Sequence, residues 1–108
     1  MTGKIVILCN CGSLEEAQTV ARGVVGRRQA ACVNIVPGVH SVYRWEGKVE
    51  EAAEWMLVIK TQETRYAEVE ATIREFHSFT TPEIIAPTID RGLPAYLDWI
   101  LEETSPIQ

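Results

Sequence analysis

The sequence lacks the features of membrane-spanning, secreted and nucleic-acid-binding proteins. No apolar run approaches the roughly 18 residues that a bilayer-spanning helix needs, and no basic amino-terminal segment precedes a small-residue cleavage site. The net charge of -5 repels phosphate backbones, and no stripe of lysine and arginine reverses this field locally. We therefore expect a cytoplasmic protein whose partners include neither nucleic acid nor a membrane.

Cysteine is scarce, and its spacing excludes a disulfide framework and a zinc ribbon. The three cysteines are Cys9, Cys11 and Cys32, an odd number that fits a reducing compartment. Cys9 and Cys11 are two residues apart, so a strand would place both thiols on one face, with their Cα atoms about 6.6 Å apart. Such thiols serve either as small buried hydrophobes or as ligands for a soft ion such as Cu(I).

Recognisable catalytic and phosphate-binding motifs are also missing. We find no Ser/His/Asp or Cys/His arrangement with a credible orienting acid, and no glycine-rich phosphate loop. Asp90 and Asp98 lie near a predicted turn and on a predicted helix, and the acidic run of Glu50, Glu51 and Glu54 is typical of a solvated surface. The sequence therefore favours a binding or structural protein over an enzyme.

What the sequence contains is the pattern of one α+β domain spanning residues 1–108, in the order β-α-β-β-α-β-α. The apolar run "KIVILCNC" predicts a central strand that is covered on both faces. The capping pair Ser13 and Glu16 predicts the start of a helix that Arg27 and Arg28 end. The segment "QETRYAEVEATIREF" predicts a second helix, "PEIIAPTID" an edge strand, and Pro94 the first turn of a last helix. This order is that of a ferredoxin-like βαββαβ sandwich with an extra carboxyl-terminal helix.

The segment from residue 31 to residue 61 predicts an unusually long hairpin. Its first arm, roughly 15 residues long, could reach about 50 Å, whereas a domain of about 100 residues has a radius of gyration near 13 Å. Pro37 and Gly38 predict a bend in that arm, Gly47 lies in the turn, and Tyr43 and Trp45 lie near the tip. A two-stranded ribbon is marginally stable alone, so we expect a closed cyclic oligomer in which each chain extends its hairpin onto a neighbour.

Three motifs carry a resemblance to a known family. The stretches "ACVNIVPGVHSVYRWEGKVEE", "IKT" and "PEIIAPTIDRGLPAYLDWI" resemble the CutA family of divalent-cation tolerance proteins, and the similarity extends from about Lys4 to Glu102. The resemblance implies a homotrimer of ferredoxin-like subunits with intertwined hairpins, similar in fold and assembly to the PII regulators. It also implies a role in tolerance of divalent metal ions, with copper first among them.

The resemblance further implies a copper site at Cys9 and His77. Cys11 is the obvious third donor, because it shares a strand face with Cys9. Phe76 stands where some family members have a second histidine, and Ser78, Phe79 and Thr80 replace the usual proline, tyrosine and acidic residue. Taken alone, His77 also fits the role of a helix cap, because a positive charge at the carboxyl-terminal end of a helix interacts favourably with the helix dipole.

An alternative function remains open at this point. The chain could be a PII-like trimeric signalling or scaffold module that binds a small molecule at an intersubunit cleft, without specific metal binding. The candidate cleft residues are Tyr43, Trp45, Lys60 and Glu83. The two aromatic residues are equally suited to packing in a core between subunits. Lys60 could bind an anion or form an ion pair with Glu83.

Overall fold

The computed structural model describes residues 1–106 and shows a small α+β fold built on a three-stranded antiparallel sheet. The strands β1 (Lys4–Cys11), β2 (Cys32–Trp45) and β3 (Lys48–Gln62) lie in the order β1-β3-β2. The helices are α1 (Leu14–Gly26), α2 (Tyr66–Phe76) and α3 (Pro94–Glu103), and a short 3-10 turn, Glu63–Arg65, precedes α2. The predicted α+β class and the positions of these elements are confirmed. None of the helices in the described part of the chain is long and apolar enough to cross a membrane.

The core lies between one face of the sheet and the helices. Side chains of β1 alternate strictly between buried and half-buried positions, which is the period-two pattern of a strand with one fully covered face. The covered face of β1 packs against α1, α2 and the matching face of β3; the buried residues are Ile5, Ile7, Cys9, Cys11, Val20, Val24, Leu57, Ile59, Val69 and Ile73. The opposite face of β1 is only half-buried, so the prediction of a strand covered on both faces is wrong for the isolated chain.

The predicted last strand, "PEIIAPTID", is not a regular strand. It contacts β1 through two isolated antiparallel bridges, Ile5 with Thr88 and Leu8 with Ile85. The amide nitrogens of Val6 and Leu8 donate to the carbonyl oxygens of Pro87 and Ile85, at 3.0 and 2.8 Å. Because Pro87 has no N–H to donate, the ladder cannot continue through it. The segment nevertheless covers the outer edge of β1.

The long hairpin has the bend and the turn that the sequence predicts. The pairing of β2 with β3 shifts register between Val36 and Val39, and Gly38 in this interval has a φ of +73°. Glu46 and Gly47, with φ values of +50° and +78°, join Trp45 to Lys48 in a two-residue turn of the kind that tight hairpins favour. The hairpin makes the molecule elongated, with principal extents of 47 × 26 × 22 Å.

The hairpin tip and the region of α3 expose large apolar side chains. At the hairpin tip, Val42 and Val49 are each 62% exposed and Trp45 is 45% exposed. On α3, Ile100 is buried but Tyr96 is exposed, and Leu93, just before the helix, is 69% exposed. An isolated chain therefore leaves uncovered the apolar residues that the sequence pattern assigns to packing.

The two arginines at the carboxyl-terminal end of α1 connect it to the other helices. Arg27 forms an ion pair with Glu75 of α2 at 3.1 Å. Arg28 adopts a left-handed backbone conformation, with a φ of +59°. Its guanidinium group donates from Nε to the carbonyl oxygen of Ser105 at 3.1 Å and from Nη2 to that of Glu102 at 2.9 Å, so it joins α1 to the end of α3.

The two roles of Arg28 can be separated by a pair of substitutions. Arg28→Ala and Arg28→Gly both remove the hydrogen bonds to α3, but only glycine relieves the left-handed backbone, which costs other residues about 1 kcal/mol. We expect Arg28→Ala to lower the free energy of unfolding by about 2 to 3 kcal/mol and Arg28→Gly by about 1 kcal/mol less, measured by urea denaturation.

The matched control is Arg22→Ala, which removes an exposed arginine from the middle of α1. We expect it to change the free energy of unfolding by no more than about 0.5 kcal/mol. A glycine variant at position 28 that is as unstable as the alanine variant, or less stable, would contradict the assigned backbone cost.

Candidate metal centre and neighbouring cavity

Cys9, Cys11 and His77 come together at the carboxyl-terminal end of β1. One ligand atom from each residue lies within 4.8 Å of the other two, and both cysteines are fully buried. Within residues 1–106, no other group of three histidine, cysteine or acidic side chains comes together in this way. Two sulfur atoms bound at about 2.3 Å to one ion can be no more than about 4.6 Å apart. The three predicted ligands therefore need only a small contraction to share an ion.

Two local features of the chain bring these side chains together. The alternation of β1 directs Cys9 and Cys11 toward the helices. Helix α2 ends at Phe76, and His77 becomes extended, with φ and ψ of -83° and +135°, while its N–H still donates to the carbonyl of Ile73 at 2.8 Å. This change of backbone direction places the imidazole ring of His77 against the end of β1, where Nε2 lies 2.7 Å from the carbonyl oxygen of Asn10.

Both ring nitrogens of His77 are engaged in hydrogen bonds. The backbone N–H of Phe79 donates to Nδ1 at 3.1 Å, so Nδ1 is the unprotonated acceptor. The proton therefore lies on Nε2, which donates to the carbonyl oxygen of Asn10 at 2.7 Å. Metal coordination by His77 would require one of these two hydrogen bonds to break.

The two phenylalanines that flank His77 have different roles. The Phe79 ring lies edge-on to the imidazole, with centroids 4.7 Å apart, and it packs so closely over Gly12 that a Cβ there would lie 3.4 Å from it. Phe79 therefore covers His77. Phe76 packs instead beside Gly23 of α1, with the Arg27 guanidinium 5.5 Å from its ring centroid. Phe76 thus stabilises the contact between the two helices.

The environment of Cys9 disfavours its thiolate in the absence of a cation. The pKa of the Cys9 thiol lies well above its ordinary value, chiefly because of a hydrogen bond with the Cys11 side chain and next because of burial. The negative charges of Glu83 and Glu16 raise this pKa further. The same negative charges attract a cation. The metal-free site therefore keeps the Cys9 thiol protonated, and a metal ion that binds there replaces this proton.

A cavity of about 750 Å³ lies next to this centre, on the other side of β1. It lies between the hairpin and the loop that follows α2. Its lining residues include Asn10, Ser41, Tyr43, Trp45, Glu50, Glu54, Phe79, Thr80 and Glu83. Three of the four predicted cleft residues, Tyr43, Trp45 and Glu83, thus line one cavity. The volume is in the range of small-molecule sites.

Lys60 does not line this cavity, and its place in an intersubunit cleft stays a prediction. It pairs with Cys32 at the start of β2, whereas Tyr43 and Trp45 lie at the end of that strand. The Lys60 ammonium group donates to the side-chain oxygen of Asn34 and lies 3.7 Å from the sulfur of Cys32. The length of the hairpin separates Lys60 from Glu83.

Asn10 and Glu54 are the two site residues that the sequence analysis missed. Glu54, assigned to a solvated acidic run, is only 7% exposed, and it accepts a hydrogen bond from Nδ2 of Asn10 at 3.3 Å. Asn10 is the residue between the two cysteines, and its side chain points away from them. The alternation of β1 could have placed Asn10 opposite the thiols, but the burial of Glu54 depends on contacts between segments far apart in sequence.

Relatives of this chain contradict the expectation of a cytoplasmic location. A solved structure from Archaeoglobus fulgidus is named a periplasmic divalent cation tolerance protein CutA; it is 42% identical, has a TM-score of 0.91, and covers 94% of this chain and 99% of its own. A relative from Arabidopsis thaliana is named a chloroplastic CutA protein; it is 38% identical, and the match covers 93% of this chain and 55% of that protein. Unpaired thiols and an acidic charge therefore do not assign a compartment in these proteins.

The same comparisons identify the family. Residues 5–103 match the family described as CutA1 divalent ion tolerance protein. The divalent-cation tolerance protein CutA of Thermus thermophilus is 43% identical over 99 residues, which are 92% of this chain and 96% of that protein. A solved structure of a CutA1 protein from that organism has a TM-score of 0.92 and 42% identity, and covers 94% of this chain and 99% of its own. These proteins are named for tolerance of divalent cations, and none of the names is that of an enzyme. The chain belongs to the CutA1 divalent ion tolerance family.

Proposed function

We propose that this protein contributes to tolerance of divalent metal ions by binding copper at Cys9, Cys11 and His77. The observation that supports the proposal is the convergence of these three side chains within 4.8 Å at the end of β1. We further propose that the subunit is a ferredoxin-like sandwich and that three subunits form a PII-like trimer.

The chemistry of the three donors favours copper among the candidate ions. Two thiolates and one imidazole form a soft ligand set, which suits Cu(I). Structural zinc sites almost always have four ligands. Glu83 and Glu16 add negative charge near Cys9 without joining the group of three ligand atoms.

Two features of the site oppose the uptake of metal ions and determine which ions can bind. Ion binding must displace a thiol proton, and it must break one hydrogen bond of His77. A weakly bound ion would not offset these costs, whereas Cu(I) is an ion that soft thiolate ligands select. The protein would therefore respond to copper and ignore more weakly binding ions.

The exposed apolar residues support assembly into a trimer. The hairpin tip exposes Val42, Trp45 and Val49, and the α3 region exposes Leu93 and Trp99. Closed rings bury such surfaces and cover the unpaired edge of β2 at the same time. In a trimer, each hairpin would extend onto the neighbouring subunit.

A second candidate function is supported by the cavity. Tyr43, Trp45 and Glu83 line a space of about 750 Å³ that is large enough for a small molecule. A PII-like module that binds a small ligand there would not need the metal centre, because Cys9, Cys11 and His77 are not among the lining residues.

The metal centre can be tested by native mass spectrometry of the reduced, chelator-treated protein during titration with Cu(I) and, separately, Zn(II). We expect one copper ion per chain. Cys9→Ser, Cys11→Ser and His77→Gln should each weaken copper binding by at least about tenfold, because each removes one of three ligands. Glutamine at position 77 keeps an N–H donor for the carbonyl oxygen of Asn10.

Cys32→Ser is the matched control, because it makes the same chemical change outside the group of three ligands. It should leave copper uptake unchanged. Equal loss of copper in the Cys32 variant, or full uptake in the Cys9 and Cys11 variants, would rule out the proposed centre.

The assembly can be tested by sedimentation at micromolar concentration. We expect the mass of three chains for the unmodified protein and a smaller mass for Trp45→Glu, because a charge at the hairpin tip would be buried against a neighbour. Glu46→Gln, in the adjacent turn, should leave the trimer intact. A folded monomer of the unmodified protein would contradict the proposal.

A further inference from the structure

Glu54 is a buried carboxylate that lacks a cationic partner. It is 7% exposed, and no lysine, arginine or histidine forms an ion pair with it within residues 1–106. Its hydrogen-bond partner is the neutral amide of Asn10, at 3.3 Å. Burying an ionised carboxylate is costly unless a charge or several hydrogen bonds compensate for it. The surroundings of Glu54 are therefore incomplete in the isolated chain.

Asn10 provides a second, independent indication. Its Nδ2 atom donates to Glu54, but its Oδ1 atom is buried and has no hydrogen-bond partner. Unpartnered buried acceptors are rare in folded proteins. Asn10 and Glu54 both line the cavity. A group there that carries several N–H donors would pair with Glu54 directly, whereas the buried Oδ1 atom of Asn10 would reach it only after a rotation of the side chain.

The rest of the cavity has the same chemical character. Glu50 and Glu83 add two more carboxylates, and Tyr43, Trp45 and Phe79 add three aromatic rings. The lining residues, all of them in the described part of the chain, include no lysine, arginine or histidine. Aromatic faces attract organic cations, and carboxylates pair with them.

We propose that the cavity binds a cationic nitrogen group, and a guanidinium group in particular, paired with Glu54 and stacked on the aromatic residues. A guanidinium group has five donors in a plane, and it both pairs with carboxylates and stacks on aromatic rings. A bare metal ion fits less well, because the carboxylates of Glu50, Glu54 and Glu83 do not meet at one point. The inference rests on the second proposed function and is independent of the metal centre.

The guanidinium group could come from a free small molecule or from an arginine of a second copy of this chain. Arg91 is a suitable donor in the second case, because its side chain is 94% exposed and its ionic contact is with the adjacent Asp90, at 3.6 Å. The chemistry at Glu54 is the same in both cases. Argininamide binding to the unmodified protein and to Arg91→Ala distinguishes the two sources.

The probe is argininamide, compared with citrullinamide, which has nearly the same shape and the same α-amino group but a neutral urea group in place of the guanidinium group. Binding to the assembled full-length protein is measured by calorimetry at low salt and by the fluorescence of the protein's tryptophans. We expect argininamide to bind and citrullinamide to bind at least about tenfold more weakly, since the neutral urea group leaves the Glu54 carboxylate without a cationic partner.

Glu54→Gln is the informative variant, because it removes the charge and keeps the shape. It should weaken argininamide binding at least tenfold, and it should raise the thermal midpoint of the ligand-free protein because an unpaired buried charge is lost. Glu51→Gln is the matched control; the side chain of Glu51 is 60% exposed, and this residue lies outside the cavity lining. It should leave both quantities unchanged.

The arginine of a second copy gives a different pattern. The assembled protein would then bind no argininamide, whereas Arg91→Ala would open the cavity and bind it in a manner that Glu54→Gln abolishes. Failure of both the unmodified protein and Arg91→Ala to bind argininamide would overturn the proposal. Equal binding of citrullinamide, or full binding by Glu54→Gln, would also overturn it.

Copper uptake by Glu54→Gln separates this proposal from the metal centre. Unchanged uptake together with lost argininamide binding assigns Glu54 to the cavity. Loss of both overturns the assignment of a separate site. A metal centre that fails its own test leaves the argininamide result fully interpretable, because the two sites share no side chain.

Discussion

The period-two alternation of β1 is the constraint on which both candidate sites depend. Cys9 and Cys11 face the helices, and Asn10 between them faces the cavity. A register slip of one residue would exchange these faces, moving the thiols to the cavity and the amide into the core. The antiparallel pairing of all eight residues of β1 with β3 prevents such a slip. Pairing between strands that are far apart in sequence therefore fixes which face each of these side chains occupies.

The loop after α2 connects the two sides of that strand. His77 contacts the carbonyl of Asn10, Phe79 covers the imidazole and also lines the cavity, and Glu83 lines the cavity while its charge raises the pKa of Cys9. The segment "HSFTT" therefore contributes to both sites. A phenyl ring in this position supplies apolar cover and aromatic surface, but it cannot donate a hydrogen bond or coordinate an ion.

Local patterns predicted most of the fold, whereas the family resemblance supplied Cys9 and His77 as metal-ligand candidates and strand alternation added Cys11. Ser13 accepts a hydrogen bond from the backbone N–H of Glu16, as the capping pattern predicts, and the alternation of "KIVILCNC" places both thiols on one face. The errors involve contacts between distant segments. The strand through Pro87 reduces to two bridges, and Glu54 is buried by residues that its own neighbourhood does not reveal. Periodicity reports which face a residue occupies, but it does not report what covers that face.

Glu54 is buried although no cationic side chain pairs with it within residues 1–106. An acidic residue in an alternating strand is assigned to solvent by default, and a buried carboxylate without a cationic partner is costly. Its neighbour Asn10 also has an unpaired acceptor, because its buried Oδ1 atom accepts no hydrogen bond. The same strand end therefore presents sulfur and nitrogen donors to one side and oxygen acceptors to the other. These two chemistries suit different cations, a soft metal ion among the helices and an organic cation beneath the hairpin.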